Sequence, residues 1–166
     1  MLKLAGAAAV LFAFSWCGIH RCGWYARRLD CLLTWQNALL EGERMLCDLG
    51  ESTPAYLEQL REAPGLGAMA ERCLHRLAQE ERLELAWCGA VEESAFPLTV
   101  EEKRTILSLG TVLGRYDAQE QRQALYAARQ RLEVQIARAE EEKARLGRMW
   151  SVLGISAGVL AVVLLY

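Results

Sequence analysis

Arg115, Asp117 and Glu120 are the side chains whose types and spacing first suggest acid–base chemistry. Two carboxylates beside a guanidinium can bind a substrate or transfer a proton when the groups share a cleft. Asp117-Ala-Gln-Glu120 also has the spacing of a capping box, in which both acids satisfy backbone N–H groups at the start of a helix. We therefore interpret both acids as helix caps and predict no catalytic residue here.

Other patterns that indicate chemistry are weaker. His20 and His75 lie at no metal-ligand spacing from each other or from a cysteine pair, and the acidic run Glu140-Glu141-Glu142 is interpreted as a solvated helix face. The sequence has no phosphate-binding glycine loop, dinucleotide fingerprint, hydrolase elbow or zinc-protease motif. A net charge of −2 without a basic stripe argues against nucleic acid. We therefore predict no catalysis, cofactor, metal or small-molecule substrate.

The cysteines show neither a CxxC motif nor a paired disulfide framework. A cytosolic domain would keep such thiols reduced, so we interpret them as small core or membrane-facing residues. They are Cys17, Cys22, Cys31, Cys47, Cys73 and Cys88.

The elements that position these residues begin with an apolar N-terminus. Leu4 to Ile19 carries no charge and would extend about 24 Å as a helix, slightly short of a hydrocarbon core of roughly 30 Å. Trp24 and Tyr25 suit an interfacial aromatic belt. A cleaved signal peptide is the alternative. No clear cleavage site precedes a polar start, which favours a retained anchor.

The C-terminal stretch from Met149 to Tyr166 is continuously apolar and would extend about 27 Å as a helix. One small domain cannot surround such a helix with protein, so we predict a membrane helix. Gly154 and Gly158 form a G-x-x-x-G step that would let another transmembrane helix approach closely. The alternative is that glycine is simply frequent in such helices.

Basic residues flank the inner side of both apolar stretches, which places the polar middle in the cytoplasm. The predicted organisation is a transmembrane helix and boundary over residues 1–23, a cytoplasmic helical bundle over 24–148 and a transmembrane helix over 149–166. The basic residues are Arg21, Arg27, Arg28, Lys143, Arg145 and Arg148.

Turn and cap signals divide the middle into helices. A first helix ends at Gly50, Thr53-Pro54 begins a second with the Thr53 hydroxyl as cap, and Ala63-Pro64-Gly65 ends it. Helices from about Leu66 to Gln79 and from about Arg82 to Glu92 follow. Phe96-Pro97 is a break, and no stretch alternates with period two, so the predicted fold is all-α.

A second capping box, Thr99-Val-Glu-Glu102, opens a helix that we expect to run to Gly114. Gly114 follows an apolar run and suits the left-handed residue that ends many helices. Asp117 then begins a long helix. The predicted inward residues are Leu32, Leu33, Leu39, Leu40, Leu46, Met69, Cys73, Leu77, Leu85, Trp87, Cys88, Val91, Ile106, Leu107, Leu109, Val112, Leu113, Leu125, Ala128, Leu132, Ile136, Ala139 and Leu146.

The segment LGTVLGRYDAQEQ, followed by LEVQIARAEEEKARLGRMWSVLGISAGVLAVVLLY, strongly resembles stage III sporulation protein AB of endospore-forming bacteria. The shared features are an LG-x-x-LG-x-x-D-x-x-x-Q corner, a long helix with an acidic, amide-rich face and a basic-Met-aromatic start to a terminal membrane helix. The chain departs from the pattern at Tyr116, where a small residue is usual, and in its many cysteines.

The resemblance implies a membrane platform protein similar to the F component of type II secretion systems, with a cytoplasmic helical bundle. It implies a non-enzymatic scaffold in the complex that links mother cell and forespore, required for its assembly and for forespore development. The expected location is the mother-cell membrane that surrounds the forespore. The expected partners are the bilayer and other stage III sporulation membrane components, including an assembly ATPase.

The corner residues Gly114, Arg115, Asp117 and Gln121 carry the most distinctive part of the pattern. They are interpreted either as a docking corner for a partner or as a capped tight turn. Gln121 is alternatively only solvated. The rival functions are a membrane-tethered regulator or enzyme with a site near Arg115 and Asp117, and a secreted bundle after signal cleavage.

Overall fold

The computed structural model describes residues 23–114 and 117–165, and all regular secondary structure within those residues is helical. The predicted all-α fold is confirmed. The first described helix, α1, covers residues 23–42 and continues as a π-helix over Glu43–Asp48. The chain leaves this helix at Gly50, whose φ of 67° is a left-handed conformation that glycine adopts without strain.

The remaining helices follow at the predicted places, except that one predicted helix is divided in two. They are α2 (Thr53–Arg61), α3 (Gly67–Ala78), α4 (Leu83–Glu92), α5 (Val100–Leu107), α6 (Gly110–Leu113) and α7 (Ala118–Leu165).

Contacts divide the chain into two units. The larger is Asp30–Ile136. Its core contains Trp35, whose ring centroid lies 5.9 Å from Trp87 and 5.7 Å from Phe96, both in edge-to-face geometry. Such aromatic pairs add about 0.5–1.5 kcal/mol beyond the apolar area that they bury.

The smaller unit combines the described parts of Met1–Leu29 and Ala137–Tyr166. Within it, Arg28 is 5% exposed and forms an ion pair with Glu142, and its guanidinium lies 5.5 Å from the centroid of the Trp24 ring. Glu140 and Glu141 are exposed, and the Glu142 side chain stays 42% exposed while it pairs with Arg28, so the interpretation of this acidic run as a solvated face agrees with the structure.

The division between α5 and α6 arises from a contact with Trp87. The indole N–H of Trp87 donates to the Ile106 carbonyl at 2.9 Å, and the same carbonyl accepts the Leu109 amide in a tighter turn. A Cβ at Gly110 would lie 2.9 Å from Cδ1 of Trp87. Glycine at this position therefore permits the close approach of α4, which sequence periodicity does not reveal.

Helix α2 begins with a different cap from the one predicted. Ser52 is the capping residue, its hydroxyl oxygen accepting from the Ala55 amide at 3.4 Å, while Thr53 and Pro54 occupy the first turn. The prediction of Thr53 as cap is wrong by one residue. The predicted capping box is confirmed: the Thr99 amide donates to the Glu102 carboxylate at 2.7 Å, and the Glu102 amide donates to the Thr99 hydroxyl at 3.4 Å.

Most predicted core positions are buried, including the α7 stripe of Leu125, Ala128, Leu132, Ile136 and Ala139. On α1, Leu32, Leu39 and Leu46 are buried, whereas Leu33 and Leu40 are 37% and 56% exposed. Each residue advances about 100° around a helix, so these two leucines leave the buried stripe although both lie beside it in sequence. The same reason applies to Leu85, which is 54% exposed, one position from buried Ala86.

Within residues 23–114 and 117–165, none of the helices combines the length and hydropathy that crossing a lipid bilayer requires. Most of the predicted N-terminal span, residues 1–22, lies outside the described residues. The predicted span over 149–166 stays a prediction.

Candidate functional site

The corner between α6 and α7 is built around one backbone carbonyl. The carbonyl oxygen of Leu113 accepts a hydrogen bond from the Thr53 hydroxyl at 2.8 Å and another from the Gln121 side-chain amide at 3.3 Å. Leu113 is the last residue of α6, where a helix leaves carbonyls without partners. The two side chains therefore satisfy a helix end and connect α2 and α7 to it.

Gln121 has a structural place in this corner. Its side chain is 6% exposed and donates to the Leu113 carbonyl, so the alternative that Gln121 is merely solvated is wrong. No local pattern predicts this burial, because the partner carbonyl belongs to another helix.

Asp117 caps α7 as predicted. One oxygen of its carboxylate, Oδ1, accepts from the Gln119 amide at 2.8 Å and from the Glu120 amide at 3.4 Å. These are free N–H groups of the first helical turn, and negative charge is favourable at that end of a helix. The carboxylate is exposed, and its hydrogen bonds belong to the backbone.

Gly114 does not adopt the predicted left-handed conformation. Its φ is −96° and its ψ is 7°, which other residues also adopt, so the prediction of a left-handed helix end is wrong. A Cβ at this position would lie 3.2 Å from Cδ2 of Leu83 at the start of α4. Close contact with Leu83, rather than backbone conformation, distinguishes the position.

Two of the predicted site features cannot be placed around this corner. Arg115 and its neighbour Tyr116 lie outside the described residues. Gly154 and Gly158 belong to α7, but the side chains around them lie outside what the structure describes. Their predicted roles therefore stay predictions.

Two arginines of α7 fix the helix against the π-helix. Arg122 donates to the Asp48 carboxylate at 2.7 Å and to the Cys47 carbonyl at 3.2 Å, and Arg129 pairs with Glu43 at 3.1 Å. The Arg129–Glu43 pair is mostly buried, since each side chain is 22% exposed. No local pattern in the sequence predicts these pairs, because their members are more than seventy residues apart.

A groove of about 690 Å³ lies between α3 and α4 and includes His75, Arg72 and Arg76. Arg76 pairs with Glu81 at 3.5 Å and also with Glu93, so its charge is neutralised by residues of the same groove. His75 is exposed, with its ring nitrogen 3.1 Å from the Gln79 amide, in agreement with its interpretation as a helix-surface residue. The corner residues Gly114, Asp117 and Gln121 do not line this groove.

The thiols in the described part of the chain are free cysteines, and Cys73 is fully buried. Burial raises the pKa of Cys73 to about 11, and burial together with the nearby Glu102 charge raises the pKa of Cys31 to about 11. These thiols stay protonated at neutral pH and are poor nucleophiles. Among residues 23–114 and 117–165, no three His, Cys, Asp or Glu side chains are arranged to hold a metal ion.

On the two described sides of this corner, at Leu113 and at Asp117, the side chains of Thr53, Gln121 and Asp117 bond to backbone groups at the end of α6 and the start of α7. No curated protein and no solved structure matched the chain. The model of one family does match it, over residues 3–166, and is described as stage III sporulation protein AB. The match covers the corner, the whole of α7 and both predicted membrane segments, which confirms the resemblance found in the sequence. The chain therefore belongs to the stage III sporulation protein AB family, whose description supports a role in sporulation.

Proposed function

We propose that this protein is a non-enzymatic membrane scaffold of the sporulation transport complex that links mother cell and forespore. Its helical domain recruits partner proteins in the mother-cell cytoplasm, among them the assembly ATPase of the complex. Its two apolar ends hold it in the mother-cell membrane around the forespore. Assembly of the complex, and through it forespore development, depends on this recruitment.

The observation that carries the proposal is the construction of the α6–α7 corner. Thr53 and Gln121 hold the Leu113 carbonyl, and Asp117 holds the first turn of α7. Polar groups bonded to the backbone hold the end of α6 and the first turn of α7 in a defined geometry, which lowers the ordering cost of binding a partner there. Gly114 and Asp117 are exposed on that surface, next to Arg115 in sequence.

The same construction argues against the rival of an enzyme centred on Asp117. A general base needs an oxygen within reach of a substrate proton, usually in a cleft that shifts its pKa. The Asp117 carboxylate is exposed and accepts two backbone amides. Its contacts support a structural role at the edge of a docking surface.

The membrane part of the proposal is supported by the sequence of the two ends. Leu4 to Ile19 and Met149 to Tyr166 lack the charged residues that are frequent between them. A helix over the second stretch would be about 27 Å long, close to the thickness of a hydrocarbon core. Mass measurement of the membrane-extracted chain tests whether the N-terminal anchor is retained, since loss of about twenty residues would indicate a cleaved signal peptide.

Site-specific photocrosslinking in sporulating cells tests the docking proposal. A photoreactive residue at Arg115 is expected to capture the assembly ATPase, whereas one at Val100, which is 70% exposed on α5, is expected not to. Capture of lipids alone from Arg115, or equal capture of the ATPase from both positions, would contradict the proposal.

A further inference from the structure

The side of α7 opposite its buried stripe carries an ordered pattern that the bundle does not use. We call Ala127, Gln130, Val134, Ala137, Glu141 and Ala144 the outer seam. All six residues are exposed, and Val134 is 54% exposed. They recur at alternating steps of three and four residues, which is the spacing of the contact positions of a coiled coil.

The charges beside the outer seam are separated by sign. Glu133 and Glu140 lie along one flank, each one residue before a seam position. The other flank consists of arginines, each one residue after a seam position: Arg131, Arg138 and Arg145. In a heptad these flanks are the g and e positions, whose charges determine which helices pair and in which orientation.

These flanking charges are available to a second molecule. Among the residues that the structure describes, no ion pair is formed by Arg138, Glu140 or Arg145, and Glu133 has only a 3.9 Å contact with Arg129. All four side chains are exposed. Their charge order is therefore not explained by packing within the chain.

We propose that two copies of this chain pair in parallel and in register along the outer seam of α7. In that arrangement a g residue faces the e residue five positions later in the partner. Glu133 then faces Arg138 of the partner subunit, and Glu140 faces Arg145 of the partner subunit. An antiparallel pair would instead place glutamate against glutamate and arginine against arginine, which costs energy at both flanks.

The residues of the outer seam determine how closely and how strongly the two helices would pair. Ala127, Ala137 and Ala144 let the two helix backbones approach closely, and Val134 provides the largest apolar contact near the centre. Glu141 is the exception, because in register it faces its own counterpart and the two charges repel. The pair is accordingly weak, and Glu141→Leu strengthens it.

The proposal uses only the charges and exposure of α7 and does not depend on the proposed scaffold function. Disulfide crosslinking of the purified full chain tests it with Ala127→Cys and, separately, Ala144→Cys, near the two ends of the seam. Parallel pairing places each new thiol opposite its own counterpart, so both variants are expected to form covalent dimers under mild oxidation. Ala78→Cys, also exposed but on α3, is the matched control, and the unsubstituted chain reports any crosslinking by native cysteines.

A charge-reversal pair makes the test independent of any single variant. The first variant combines Glu133→Arg with Glu140→Arg, so that both of its flanks carry arginine. The second variant combines Arg138→Glu with Arg145→Glu, which places glutamate at the positions that face those arginines. In the Ala127→Cys background each chain alone is expected to lose most of its crosslinking, and a mixture is expected to restore it several-fold. Crosslinking that equals the Ala78→Cys control, or that charge reversal leaves unchanged, would overturn the proposal.

Discussion

The α6–α7 corner and the outer seam of α7 are both rich in polar groups, but they use them differently. At the corner, Thr53, Asp117 and Gln121 bond to backbone atoms of the same chain. Along the seam, glutamates and arginines are ordered by sign, and Arg138 and Glu140 make no ion pair within the described residues. Polar groups that are satisfied internally determine a shape, whereas ordered charges left free in the chain indicate a partner.

This difference predicts that the two regions respond to mutation in different measurements. Substitutions at the corner should lower the free energy of unfolding, because they leave buried or helix-end groups without partners. Substitutions beside the seam should change the free energy of unfolding by no more than about 1 kcal/mol and should alter self-association. The buried indoles of Trp35 and Trp87 provide a fluorescence signal for unfolding of the full chain in denaturant.

The largest expected effect at the corner is that of Gln121→Ala. The substitution removes a buried amide and its bond to the Leu113 carbonyl, which should destabilise the chain by about 1–3 kcal/mol. Gln123→Ala is the matched control, since Gln123 is exposed two residues further on and should change stability by no more than about 0.5 kcal/mol. Equal effects of the two substitutions in denaturant unfolding would break the distinction between a buried corner amide and a surface amide.

Two glycine substitutions test whether backbone conformation or side-chain contact requires glycine at each turn. Gly50→Ala forces a side chain into a left-handed conformation at φ 67° and should cost about 1–2 kcal/mol. Gly114→Ala should cost less than about 1 kcal/mol, because its φ of −96° is ordinary and its only close contact is the flexible end of Leu83. The reverse order of the two midpoints in denaturant would indicate that Gly114 is left-handed after all.

Removal of the α7 cap should have an effect of similar or smaller size. Asp117→Ala leaves the Gln119 and Glu120 amides without a side-chain acceptor and should cost about 1 kcal/mol. Asp117→Asn retains an acceptor oxygen and should recover most of that loss. If both variants unfold at the parent midpoint, the carboxylate has no structural role and a binding role gains support.

The Thr53 hydroxyl should also contribute about 1 kcal/mol. Thr53→Val removes the donor to the Leu113 carbonyl while keeping the shape of the side chain, and Thr53→Ser keeps the hydroxyl. In denaturant unfolding, the parent and the Thr53→Ser variant should therefore have a higher free energy of unfolding than the Thr53→Val variant. A valine variant as stable as the parent would show that Gln121 alone satisfies the carbonyl.

Local signals in the sequence predicted most of the fold. The capping box at Thr99, the Asp117 cap and the stop at Gly50 each depend on residues within one helical turn, and the structure confirms all three. The buried stripe of α7 was predictable as well, since period 3.6 continues through it without interruption.

The errors occurred where a distant residue decides the outcome. Ser52 and Thr53 are adjacent hydroxyls that both suit a cap, and the choice depends on the Leu113 carbonyl, sixty residues away, which accepts Thr53. Gly114 likewise follows a local rule for helix ends in the sequence but is explained by Leu83 in the structure. The burial of Gln121 has the same origin, because α6 supplies its partner atom.

The contrast between corner and seam is tested most directly by one pair of readings on a single variant, the full chain with Glu133→Arg and Glu140→Arg. Its denaturant midpoint and its crosslinking through Ala127→Cys are compared with those of the chain that carries Ala127→Cys alone. We predict that the free energy of unfolding changes by no more than about 1 kcal/mol, because Glu133→Arg replaces the 3.9 Å contact with Arg129 by a like-charge pair on the helix surface, and that most of the covalent dimer is lost. A clear loss of stability with crosslinking intact would show that these glutamates serve the fold and not a second copy of the chain.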